Sequence, residues 1–226
     1  MCLRVSILLW GRLKFMSDKP ILRIEIKRPS FEYVKKAYEE INGIGNQENN
    51  YTKAELRYDF WGGRIQKAFE KEKEQYINTC AVRVSYALNK GGMLLKESLI
   101  KNAKHIDKHK AILHDIKKDI ERYSRIDKDN NYYITNSIDM ETFLWIKWGV
   151  PELAQKEMKN KIQNIEFLDK LKKFNKQGII TMRIHFSDAQ GHTTLWDKDH
   201  FTDGSNYLQR NDTIVTEAHF WELLED

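Results

Sequence analysis

Cys80, His192 and Asp203 are the residues of this chain whose types and order could do covalent chemistry. Of the two cysteines, Cys2 sits at the chain terminus and Cys80 is internal. Cys2 lies where a chain end frays, so no structural disulfide is expected. A lone internal cysteine with a downstream histidine is the pattern of a thiol nucleophile and its base. The thiolate attacks a carbonyl, the imidazole takes and returns the proton, and a third polar group holds the ring in the working tautomer. Asp203 follows His192 and supplies that third group, with Asp197 and Asp199 as rivals in the same stretch.

These side chains need elements to hold them. The run Asn78-Thr79-Cys80-Ala81-Val82-Arg83-Val84-Ser85-Tyr86-Ala87-Leu88-Asn89 reads as a helix capped by Asn78 or Thr79 and stopped by Gly91-Gly92. Ala81, Val84 and Leu88 form one apolar face, widened by Val82 and Tyr86, so the helix belongs inside the domain. Cys80 falls in its first turn, where free amides and the helix dipole favour a thiolate. From Gly178 to Phe186 the pattern alternates, with Ile180, Met182, Ile184 and Phe186 on one side and Thr181, Arg183 and His185 on the other, as in a half-buried strand. Ser187–Gly191 turns the chain, and His192-Thr193-Thr194-Leu195-Trp196 returns as a hairpin partner. Residues 213–223 supply a last strand.

The remaining elements are helical. Ser30 caps a first helix with the stripe Phe31, Val34, Tyr38 and Ile41, ended by Asn42-Gly43. Residues 42–53 read as loop, 64–74 as a charged helix, and 139–148 as a helix with Phe143, Leu144, Trp145 and Trp148. After Pro151, helices run to about Phe174. A Lys-rich amphipathic helical insertion spans about 97–125, with Ile106, Leu113, Ile116, Ile120 and Tyr123 at helical spacing. Helices first and strands last define an α+β class, N-terminal helices packed on a C-terminal antiparallel sheet.

Length and composition bound the rest. The chain has 226 residues, enough for one well-buried domain, and its 41% hydrophobic content with only 3 prolines excludes a disordered or linker-dominated chain. Residues 1–15 are read as a dispensable extension and 16–226 as a single domain. The formal charge of +5 suits an anionic partner. No apolar run is long enough for a spanning helix, so no membrane insertion is expected. Residues 1–15 lack a small-residue cleavage site and are broken by Arg12 and Lys14, which fits a secretory signal poorly.

The nucleophile segment 78–89 resembles that of the fourth family of type VI secretion amidase effectors. Gly191-His192-Thr193-Thr194-Leu195-Trp196 resembles that family's histidine strand, Arg28-Pro29-Ser30-Phe31 its opening helix and Gly178-Ile179-Ile180 the strand before the histidine hairpin. The ordered matches cover about residues 28–223, with gaps. The resemblance implies a papain-like fold close to the NlpC-type wall peptidases. It implies cleavage of peptidoglycan stem peptides between D-glutamate and meso-diaminopimelate, with Cys80, His192 and Asp203 as the catalytic set. It further implies synthesis in the cytoplasm, injection by the secretion apparatus, action in a rival's periplasm and a cognate immunity protein. The family's acid loop often carries two cysteines around the aspartate; the corresponding positions here are Phe201 and Ser205, so no disulfide pins that loop.

Competing readings are a housekeeping NlpC-type peptidase or acyltransferase using the same dyad, and a nucleic-acid-binding module using the basic segment 97–125. That segment is only modestly basic and carries no recognition motif, so no nucleic-acid partner is expected. His105, His109 and His114 lack an accompanying ligand set, and no metal or cofactor is expected. His185 and His200 lie near the proposed site without the motif context of His192. Arg83 could bind a substrate carboxylate, but its place on a buried helix points first to a structural hydrogen bond.

Overall fold

A computed structural model of the chain describes residues 28–99, 108–184 and 190–225. Cys2, His105, Ile106, His185 and Phe186, and the expected extension 1–15, lie outside the described residues. The helical half comprises α1 (Phe31–Gly43), α2 (Asn50–Trp61), α3 (Gly63–Lys71), α4 (Lys73–Tyr76), α5 (Cys80–Lys90), α6 (Leu95–Ser98), α7 (Lys108–Arg122) and α8 (Ser137–Trp148). It is followed by β1 (Leu153–Gln155), α9 (Lys161–Phe174), β2 (Gln177–Ile184), β3 (Gly191–Asp197), β4 (His200–Phe201) and β5 (Val215–Glu222). The strands form one antiparallel sheet in the order β1-β5-β2-β3-β4. This is the α+β arrangement expected from helices first and strands last.

The sheet is covered on both faces, which corrects the half-buried reading of β2. Ile179, Leu195 and Trp221 join the core built by the N-terminal helices. Their neighbours Ile180, Met182, Trp196 and Phe220 pack with Phe167, Leu168 and Leu171 of α9. Alternation along β2 therefore sorts side chains between two cores rather than between core and water. Thr181, on the helical side, is buried and donates to Glu141 at 3.0 Å.

α5 is the central helix. Every residue from Cys80 to Asn89 is buried, and the helix packs between α1 and β3. Such a helix must satisfy its polar side chains internally. Ser85 Oγ donates to Ile134 O at 3.2 Å and accepts from Ile134 N at 3.0 Å. Asn89 donates to Tyr132 O at 3.0 Å and accepts from Leu95 N at 2.8 Å. These bonds fix the helix in rotation and depth, and so fix where Cys80 emerges.

Several local expectations change. Ser30 occupies the N-cap position of α1, but its hydroxyl makes no capping bond; the Phe31 amide donates instead to Leu224 O at 2.9 Å. The loop read over 42–53 ends early, because Asn49 caps α2 by accepting from Thr52 N at 3.0 Å. The charged helix 64–74 is broken at Glu72 into α3 and α4. The helical reading after Pro151 misses β1, a three-residue strand paired with β5. Within the segment 97–125, α7 covers 108–122; Leu113, Ile116 and Ile120 enter the main core while Tyr123 is exposed.

Candidate active site

α5 and β3 bring Cys80 and His192 together. Cys80 is the first residue of α5, and its thiol is coupled electrostatically to His192, the second residue of β3. Burial raises the Cys80 pKa, but the His192 hydrogen bond and charge, then the Arg83 charge and the Thr193 amide, outweigh it, so the net shift is downward. For His192 burial acts to lower the pKa, yet hydrogen bonds and charge from Asp203 and Cys80 push it up to about 9. Both directions favour a thiolate–imidazolium pair.

Asp203 completes the set, and the structure separates it from its rivals. Its Oδ2 lies 3.3 Å from His192 Nε2. Asp197 is taken up by Lys35 and Gln177, each at 2.7 Å, and Asp199 by exposed His200 at 2.7 Å. With Nε2 turned to Asp203, Nδ1 is the ring nitrogen left for the sulfur. Asp203 is buried, which raises its pKa; bonds to His192, the charge of Arg83 and a bond from Ser205 hold it well below the usual carboxylate range.

Two residues that sequence reasoning placed elsewhere belong to this cluster. Ser205 Oγ lies 2.8 Å from His192 Nε2, closer than the aspartate, and its hydroxyl reaches Asp203 Oδ1. When His192 is protonated, Nε2–H donates to Ser205 Oγ, which donates to Asp203; the Ser205 amide donates to the same carboxylate oxygen at 3.1 Å. The residue at one expected cysteine position thus holds the acid loop by hydrogen bonds. At the other, Phe201 packs edge-on against Trp196 with ring centroids 4.9 Å apart. Tyr38, read as part of the apolar stripe of α1, places its hydroxyl 3.0 Å from Thr194 Oγ1 and 3.2 Å from Asp203 Oδ2. Burial pushes this phenol far up, so it stays protonated.

Arg83 takes the structural role. It donates to Asp203 Oδ2 at 3.2 Å and to Asn42 Oδ1, and its guanidinium lies over the Tyr38 ring. The Cys80 amide, a natural oxyanion donor at a helix start, is bonded to Asn78 Oδ1 at 3.1 Å. A substrate oxygen would have to displace Asn78 to use it.

Two adjoining cavities of 520 and 340 Å³ open beside the cluster and share Asn50, Lys53, Arg57, Arg83, His192 and Tyr207. Tyr207 packs edge-on to His192 with ring centroids 5.0 Å apart. His109 and His114 are exposed on α7, away from any cluster able to hold a metal among the described residues. No helix of the described residues is long and apolar enough to cross a membrane.

Residues 76–221 match the family model of the type VI secretion system amidase effector protein 4, Tae4. The chain belongs to this family. The match begins just before the Cys80 helix and ends within β5, so it takes in Cys80, His192, Asp203 and Ser205 but not Tyr38. Tae4 proteins are amidase effectors, and an enzyme is therefore what this fold houses. Among solved structures, Tae4 from Salmonella typhimurium in complex with the immunity protein Tai4 from Enterobacter cloacae is 23% identical. The match covers 87% of this chain and 100% of that one, with a TM-score of 0.60. Tae4 from Enterobacter cloacae alone is 23% identical over 87% of this chain and 98% of that one, with a TM-score of 0.59. These likenesses establish the Tae4 fold. No curated protein sequence matches the chain.

Proposed function

We propose that this Tae4 member is a cysteine amidase that hydrolyses peptidoglycan stem peptides, with Cys80 as nucleophile, His192 as acid and base, and Asp203 orienting His192. The observation that carries the reading is the coupling of Cys80, at the start of a buried helix, to His192, and the hydrogen-bonded run from His192 to Ser205 and Asp203 that opens on a groove. A helix bearing the thiol against a sheet bearing the imidazole is the papain-like, NlpC-type arrangement.

The thiolate attacks the stem-peptide carbonyl, and the Cys80 amide stabilises the oxyanion once it has exchanged Asn78 for the substrate. The imidazolium gives its proton to the leaving amine. The same ring then accepts a proton from the water that hydrolyses the thioester, restoring the thiolate. The bond cut is the D-glutamyl–meso-diaminopimelate amide. The enzyme is injected by the secretion apparatus, acts in the periplasm of the target cell, and is held off in the producer by a cognate immunity protein. Solved Tae4 relatives bound to Tai4 support that partner. Residues 16–226 form one catalytic domain with a helical insertion around 97–125, and residues 1–15 are dispensable.

The test is digestion of purified peptidoglycan by the wild-type protein and Cys80→Ala, with mass analysis of the fragments. Fragments ending in a free glutamyl carboxyl from wild type alone support hydrolysis at that bond. Retained activity in the variant removes the nucleophile assignment, and transfer of the glutamyl group to an amine identifies an acyltransferase.

A further inference from the structure

The groove beside the cluster carries two cations, Lys53 and Arg57, that form no ion pair among the described residues. Asn50, Lys53 and Arg57 stand three and four residues apart on α2, on one face, and all three line both cavities. The other cations there are matched: Arg83 by Asp203, and Arg210 by Asp212 at 2.7 Å. Glu39, the remaining acid on the lining, lies 3.9 Å from Lys35. Lys53 has no ion pair among the described residues. Arg57 is buried, and its guanidinium meets only neutral acceptors: Ile41 O at 3.2 Å, Asn42 O at 3.4 Å and Thr79 Oγ1 at 3.0 Å.

A buried cation without an anionic partner is costly. Burial first, and then the charge of Arg83, push Arg57 down to about 10, against a smaller opposing pull from Tyr38 and Asp203. The bond to Thr79 sets this charge, which has no ion-paired carboxylate, one residue from the proposed nucleophile. An anion entering the groove would gain a charge-assisted bond on each side without displacing a resident carboxylate.

We infer that Lys53 and Arg57 form a carboxylate-binding subsite beside Cys80, which takes the free α-carboxylate of the glutamyl residue next to the amide to be cut. The inference rests on the peptide-amidase reading for the identity of the ligand. A stem peptide anchored there is held by its charge while its carbonyl faces the thiol. The subsite selects stems with a free carboxylate over stems in which that group is a carboxamide.

Binding to the full chain bearing Cys80→Ala tests the subsite independently of turnover. The probes are two stem peptides, identical except that the glutamyl α-carboxyl is free in one and amidated in the other, titrated by calorimetry. The acid is expected to bind at least about tenfold more tightly. Adding Lys53→Gln should shrink the difference to less than about threefold and leave the amide's affinity unchanged, while Lys53→Arg should keep the preference. Equal affinity for the two peptides, or a preference untouched by Lys53→Gln, overturns the subsite. Cleavage of the same peptides by the Cys80 protein is read separately. A Lys53-dependent preference without cleavage supports the subsite and sinks the amidase reading; cleavage without a preference does the reverse.

Discussion

Ser205→Ala removes the hydroxyl between the base and its acid, and the consequence can be worked from two distances. His192 Nε2 is 2.8 Å from Ser205 Oγ and 3.3 Å from Asp203 Oδ2, beyond the usual range for a strong N–H···O bond. Without the hydroxyl, His192 keeps only the longer contact and loses a bond made to its charged form. A bond to a charged group contributes about 1.5–3 kcal/mol. If it is needed for the imidazolium to hold its place through the reaction, kcat falls by about 10- to 100-fold. KM should move little, because the hydroxyl acts through His192. Stabilisation of the imidazolium is also lost, so the alkaline limb of the rate profile should move to lower pH. The assay is steady-state hydrolysis of a stem peptide across pH by wild type, Ser205→Ala and Ser205→Thr, the last retaining a hydroxyl and recovering most of the rate. Full kcat with an unmoved alkaline limb in Ser205→Ala would refute the reasoning.

Three further outcomes follow from the same geometry. In wild type the rate should fall on the alkaline side near pH 9, where His192 loses its proton; its raised pKa also means that its contribution to stability is complete below about pH 6.5 and disappears as pH rises through about 9, which denaturant midpoints across that range would show. Gly191→Ala should cost about 1–3 kcal/mol and impair turnover, since a Cβ there would lie 2.5 Å from Met182 O and 3.0 Å from Ser137 Oγ, forcing apart the strands that carry His192; thermal unfolding and activity check both. Glu141→Gln should lower stability by about 1–3 kcal/mol with kcat preserved, because buried Glu141 accepts from Arg183 at 2.7 Å and from Thr181 at 3.0 Å outside the catalytic cluster; an undiminished denaturant midpoint would contradict this.

The elements that carry the proposed site were legible because their signals are local. The apolar face running from Ala81 to Leu88 and the glycines after Lys90 mark out α5, although Thr79 at its N-cap makes no side-chain capping bond, and alternation followed by a turn marks out β2 and β3. Which aspartate faces His192 was not legible, since Asp197, Asp199 and Asp203 crowd one short stretch and spacing does not say which way each points. Lys35 on α1 decides it by drawing Asp197 away at 2.7 Å. Ser205 was read only as a missing cysteine, although a hydroxyl two residues from an aspartate can bond back to it. Tyr38 looked apolar because its ring is core, while its polar tip reaches Asp203. The burial of both faces of β2 depends on α9 crossing the sheet, which no pattern within β2 can report. The start of α2 was hidden by the Gly- and Asn-rich stretch before it, although Asn49 is a sound capping residue.

The pairing of sulfur and imidazole is tested most directly by the pH dependence of Cys80 alkylation with iodoacetamide, followed by peptide mapping to separate it from Cys2. Wild type is expected to react well below the range of a free thiol, near pH 8.5, and His192→Ala should move the profile upward. A Cys80 that titrates like a free thiol, or whose profile is the same with and without His192, would contradict the account.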